Sequence, residues 1–131
     1  MTGITEFNAA ANADTEREHQ IQLGLLRELC RAAGAQGDPA VVGEILARLI
    51  DYSEAHFASE ELLMRMKSYD DYEDHVEDHA QMLDTLRGIE AEHARGESAL
   101  VAGHASETLE FLGRHIATRD RRFADYVRNN L

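Results

Sequence analysis

Apolar side chains return every three or four residues along most of the chain, the spacing that turns one face of an α-helix toward a core. One such run reads Val42, Ile45/Leu46, Leu49, Ser53, His56, Glu60, Leu63, and a second reads His75, His79, Met82, Leu86, Ile89. Two more read His19, Leu23, Leu26, Cys30 and Val101, Ala105, Thr108, Leu112, His115. A single proline among 131 residues leaves long helices uninterrupted. Valine and isoleucine nowhere alternate with polar residues over a strand's length. The expected fold is all-α.

Breakers and caps divide the chain. Asp14 or Thr15 can cap a first helix that runs to about Ala33 and stops in Gly34-Ala35-Gln36-Gly37. Asp38 then caps a second helix, with Pro39 at its first position and its end near Met66. Lys67-Ser68-Tyr69-Asp70 leads to a third helix, from about Asp71 to His93. Arg95-Gly96-Glu97-Ser98 breaks the chain again, and Ser98 can cap a fourth helix that reaches about His115. Residues 1–13 are expected to form an irregular arm and residues 14–131 one bundle domain. Phe123, Tyr126 and Val127 stand at helical spacing and suggest a short C-terminal helical segment. Connections this short favour antiparallel neighbours, hence an up-down-up-down four-helix bundle.

Charge narrows the partners. With 25 acidic against 13 basic residues, a net charge of −12, the surface repels phosphate backbones, so nucleic acid is a poor partner. Cys30 is the only cysteine, so no internal disulfide forms. No stretch approaches the roughly 20 apolar residues of a membrane span. The first residues lack the basic-then-apolar order of a secretory signal. A cytoplasmic setting without membrane attachment is the expectation.

The histidines carry the chemistry. His19, His56, His75, His79, His115 and the acid Glu60 continue apolar stripes, where an unpaired polar group costs several kcal/mol. In an antiparallel bundle, the start of helix 1, the end of helix 2, the start of helix 3 and the end of helix 4 share one end. These residues, with Asp120 just after His115, therefore fall at similar height. Residues i and i+4 differ by about 40° in azimuth and about 6 Å in rise, so His56/Glu60 and His75/His79 each present two ligands side by side. Asp120 follows His115 by five residues, about 140° away on an α-helix, and reaches the same point only if the helix bends or breaks there. A shared metal site follows from this convergence.

The order His19, His56-Phe57-Ala58-Ser59-Glu60-Glu61, His75-Val76-Glu77-Asp78-His79 and His115-Ile116-Ala117-Thr118-Arg119-Asp120 resembles the hemerythrin family over nearly the whole chain. The resemblance implies two non-haem irons bridged by Glu60, Asp120 and an oxo or hydroxo group. His75, His79 and His115 would serve one iron, and His19 and His56 the other. Five imidazoles and three bridges then leave one coordination place open, on the iron with two histidines. The implied ligand is dioxygen. Leu23, Phe57, Leu112 and Ile116 are expected as the walls of a dry apolar pocket for it. The chain departs from the family where Glu16-Arg17-Glu18-His19 replaces a stretch like DxQH, and where Phe111 replaces a tryptophan four residues before His115.

The reading expected is a reversible dioxygen-binding protein rather than an enzyme. A sensor module signalling to a protein partner, or a di-iron enzyme acting on peroxide or ferrous iron, are the alternatives. The oligomeric state stays open. Glu16/His19 and Glu90/His93 fit the ExxH pairs of ferritin-like proteins, but those pairs should lie at opposite bundle ends. His93 and His104 are expected at the surface of the far end, Cys30 in the core, and the acidic run Asp70 to Asp78 as a solvated face. Tyr52, Tyr69, Tyr72 or Tyr126 can supply a hydrogen bond behind a ligand.

Overall fold

The computed structural model describes residues 2–35 and 37–129, with the side chain of Thr2 left out. Gln36 of the first break, Met1 and the last two residues of the expected domain lie outside the described residues. The helices are α1 (Thr2–Gly34), α2 (Pro39–Met66), α3 (Tyr72–Ala94), α4 (Ser98–His115) and α5 (Arg121–Asn129), with a π-helical segment at Ile116–Asp120 joining the last two. Helix α1 packs on α2 and α4, and α3 packs on the same two, which closes an all-α four-helix bundle.

The connections follow the local chemistry. Asp38 caps α2 by accepting from the Ala40 N–H at 2.9 Å, and Pro39 opens the helix, as expected. At the end of α2, Ser68 takes a positive φ of 52°, while Ser68 N–H bonds to Arg65 O and Tyr69 N–H to Met64 O. That double bond pattern is a Schellman motif, and it turns the Tyr69 ring into the core. Gly96, at φ 74°, closes α3 in the same way. Ser98 is the first residue of α4 rather than its cap; Glu97 precedes it without a side-chain capping bond.

The N-terminal arm is a correction. Residues expected to be irregular are helical from Thr2, and α1 runs through Asp14 and Thr15 without a cap. The Thr15 hydroxyl bonds back to Ala11 O at 2.9 Å, as in a helix interior. Tertiary contacts hold this stretch in place: Asn8 donates to Val127 O at 3.0 Å, Asn12 donates to Ala124 O at 3.1 Å, and Lys67 donates to Asn8 Oδ1 at 2.6 Å. The first three turns of α1 thus lie against α5.

Two apolar clusters enclose a polar layer. Leu26, Leu29, Leu46, Leu49, Leu86 and Ile89 anchor the larger one through the bundle's middle and far end. Met64, Tyr69, Phe123 and Val127 form the smaller one beneath α5. No helix among the described residues is long and apolar enough to cross a membrane.

Candidate metal centre

Between the two apolar clusters lie His19, His56, Glu60, His75, His79, His115 and Asp120, all buried. All the histidine Nε2 atoms turn toward the two carboxylates, and each carboxylate divides its oxygens. Glu60 Oε1 stands 3.5 Å from His75 Nε2 and 3.3 Å from His79 Nε2, while its Oε2 stands 3.2 Å from His19 Nε2 and 3.6 Å from His56 Nε2. Asp120 Oδ1 stands 2.7 Å from His75 Nε2 and 3.1 Å from His115 Nε2, while its Oδ2 stands 3.0 Å from His19 Nε2. Donor atoms of Glu60, His75, His79, His115 and Asp120 all lie within 4.8 Å of one another, and so do those of His19, His56 and Glu60.

The π segment brings Asp120 in. The helix does not break after His115; it widens, so that the Arg121 N–H reaches Ile116 O, five residues back. One extra residue in the turn shifts Asp120 toward the face that carries His115. Bend or break was the expectation, and a π turn that continues into α5 is what the chain adopts.

The donor set fits a cation. His79 Nε2, His115 Nε2 and Glu60 Oε1 are buried without a hydrogen-bond partner among the described residues, although each has an oppositely polar atom nearby. Groups that converge this closely without pairing suit coordination to something between them. Electrostatics agree. Burial opposes a charge on His19, but the Asp120 and Glu60 carboxylates outweigh it and push its pKa up to about 10. His79 is likewise raised against its burial, first by Glu60 and then by Glu61. Burial opposes ionisation of Asp120 as well, yet His115, His19 and His75 hold its carboxyl well below the usual range. Glu60 is lowered, against burial, by His19 and His79. Two anionic carboxylates buried among imidazoles call for positive charge, whether protons or metal ions.

Behind the imidazoles stand acids that the sequence reading did not single out for this role. His56 Nδ1 bonds Glu18 Oε1 at 2.8 Å, His79 Nδ1 bonds Glu61 Oε2 at 2.8 Å, and His115 Nδ1 bonds Asp78 Oδ2 at 3.2 Å. Such pairs fix the ring and leave Nε2 free to ligate. Arg119 Nε also reaches Asp78 Oδ2, at 2.9 Å, and Arg122 reaches Asp71 at 3.2 Å. The acidic run expected as a solvated face is therefore partly the counter-surface for two arginines around the π turn. Of the tyrosines, Tyr69 is buried with its ring 6.2 Å from that of His75, whereas the Tyr126 hydroxyl donates to Lys67 O at 2.7 Å.

The expected apolar walls are present in part. Phe57 stacks on His79 with centroids 4.0 Å apart, Leu112 is buried, and Phe111 stacks on His115 at 6.4 Å. Leu23 and Ile116 are half-buried. Ile116 lines a cleft of about 370 Å³ that also touches His19, Asp120 and Thr15. His93 and His104 lie at the other end of the bundle, half-buried rather than exposed, and His104 bonds Glu92 at 2.8 Å.

Comparison with known proteins points one way. The model of the hemerythrin HHE cation-binding domain matches residues 11–127. A myohemerythrin of Theromyzon tessulatum is 37% identical over 54 residues, which cover 41% of this chain and 45% of that protein. A bacteriohemerythrin of Methylococcus capsulatus is 27% identical over 104 residues, 79% of each chain. No solved structure matches the chain significantly.

Proposed function

Because the chain belongs to the hemerythrin HHE cation-binding family, we propose that it is a non-haem di-iron protein that binds dioxygen reversibly. The proposed ligands are His75, His79 and His115 for one iron and His19 and His56 for the other; Glu60 and Asp120 would each serve both. One observation carries the reading: each carboxylate turns one oxygen to each histidine group. That arrangement suits two cations side by side better than one.

Bound iron supplies a reversible ferrous–ferric change and an open coordination place for a small ligand. The chain's own contribution is geometry. Glu18, Glu61 and Asp78 hold three imidazoles by Nδ1, so those rings ligate through Nε2 without reorganising. Phe57 and Leu112 exclude water from the bundle side of the cluster. An open place would fall to the half that has only two histidines, His19 and His56, since the other half has a third.

Metal analysis with optical spectra of the reduced protein, before and after air, tests this. About two irons per chain and an oxygen-dependent charge-transfer band in the near ultraviolet and visible are expected, and removal of oxygen should reverse the band. A chain that folds equally well and takes up no iron would reject the reading. A centre that oxidises within minutes under air would instead favour a sensor over a carrier.

A further inference from the structure

One turn inward from the histidines, the four helices contribute one layer of side chains: Gln22 from α1, Ser53 from α2, Met82 from α3 and Leu112 from α4. Each stands three residues from a histidine of the cluster: His19, His56, His79 and His115 respectively. Three residues of helix rise about 4.5 Å, and the antiparallel helices make all four steps lead the same way, toward the apolar core. All four are buried, at 1%, 0%, 2% and 1% exposure. The layer is divided. Over the three-histidine half it is apolar; over the His19–His56 half it is an amide and a hydroxyl.

The polar half is incompletely paired. Gln22 Nε2 donates to Ser53 Oγ at 2.9 Å across the α1–α2 interface. Gln22 Oε1 is buried with no hydrogen-bond partner among the described residues. An unmade hydrogen bond on a buried amide is destabilising, and leucine or methionine would fill this volume without that cost. The serine hydroxyl both donates and accepts, so the amide can also turn over, taking the hydroxyl proton on Oε1 and freeing its NH2. One end of the amide is unpaired in either orientation.

We propose that Gln22, steadied by Ser53, is a specificity-determining residue that hydrogen-bonds a small anionic or hydrogen-bonding ligand held over His19 and His56. The inference rests on the di-iron reading above. It replaces a uniformly apolar pocket with one that has a polar side: NH2 faces an anion, and the carbonyl faces a ligand that carries a proton. Small ligands are thereby discriminated by hydrogen-bonding capacity as well as by size.

The test uses azide, an anion that coordinates ferric iron, on the oxidised iron-loaded protein and its Gln22→Met and Gln22→Glu variants. Iron content and the melting temperature of the iron-free chain are measured first. Gln22→Met should load as much iron as the parent, with little change in melting temperature, because the loss of the bond to Ser53 Oγ is offset by giving up an unpaired buried amide oxygen. Its azide affinity should drop about tenfold or more, the loss expected for a hydrogen bond to a charged group. The azide stretching band of the parent should shift between H2O and D2O, and that shift should vanish in Gln22→Met. Gln22→Glu, of the same shape but anionic, should bind azide more weakly still. Affinity within twofold of the parent in both variants, or a retained isotope shift in Gln22→Met, overturns the proposal. So does a melting temperature lowered by several degrees with azide binding unchanged, which marks a structural amide. A parent protein that takes up no iron sinks the di-iron reading and this inference together; a loaded variant with unaltered azide binding sinks only the latter.

Discussion

Glu61 Oε2 accepts a hydrogen bond from His79 Nδ1 at 2.8 Å, across the interface between α2 and α3. Glu61 directly follows Glu60, so one turn of α2 supplies an acid to the centre of the cluster and another to its outside. A carboxylate behind an imidazole orients the ring and strengthens it as a donor. Glu61→Ala, and equally Glu18→Ala behind His56, should weaken metal binding about 10–100-fold while helix content by circular dichroism stays the same. Competition titration against a coloured chelator reads the difference, and equal affinity of variant and parent would remove these acids from the site.

Replacing a converging donor is a harsher change. Glu60→Ala or His79→Ala should lower the iron bound per chain, measured by metal analysis after loading in excess iron. His93→Ala, at the far end of α3, should keep the parent's content. Equal loading in all three variants would place the metal elsewhere.

Asp78 Oδ2 is shared between His115 Nδ1 at 3.2 Å and Arg119 Nε at 2.9 Å, and its bond to histidine is longer than the 2.8 Å of the Glu18 and Glu61 pairs. A guanidinium on the same oxygen draws charge away from the imidazole. Arg119→Gln should therefore tighten the Asp78–His115 bond and move the His115 Nδ1–H proton resonance downfield. In an Asp78→Asn background the same change should have little effect, which a double-mutant cycle isolates. A resonance that moves upfield in Arg119→Gln would instead make the arginine a support for Asp78.

Leu29 is fully buried in the large apolar cluster, away from the polar layer. Leu29→Ala removes buried surface and leaves a cavity, at a cost of about 2–5 kcal/mol. Denaturant unfolding should show a lower midpoint with the same slope, and iron content should be kept under native conditions. A cost below about 1 kcal/mol would mean that the core collapses around the gap.

At the far end, the Glu92 carboxylate raises the pKa of His104 above 6.5. A histidine whose folded pKa is raised contributes stability that is fully present below its unfolded value near 6.5 and is lost as pH rises through the folded value. The contribution is small because the His104 side chain keeps 43% of its surface open to solvent. By proton resonance, His104 should titrate above 6.5 in the parent and closer to 6.5 in Glu92→Gln. The melting temperature of the parent should decline slightly more than that of Glu92→Gln across this pH range. Identical titration curves would show that the pair does not form in solution.

Much of this could be read from the amino-acid order, because helical periodicity is a local property. The stripes through His56, Leu86 or Leu112 mark which face of each helix turns inward, and short connections leave few ways to close four such faces on one another. Convergence of the histidines then follows from topology. Local signals failed where distant chain decides. Thr2 to Asn12 reads as an arm because it precedes the cap candidates Asp14 and Thr15, yet Asn8 and Asn12 bond to carbonyls of α5, more than a hundred residues away, and the helix continues to its start. The partners of His56, His79 and His115 and the unpaired amide of Gln22 were also beyond the sequence, which signalled a distortion before Asp120 but not its form as a π turn. The side-chain pairings depend on the angle at which two packed helices face one another, and no single helix's periodicity contains that angle.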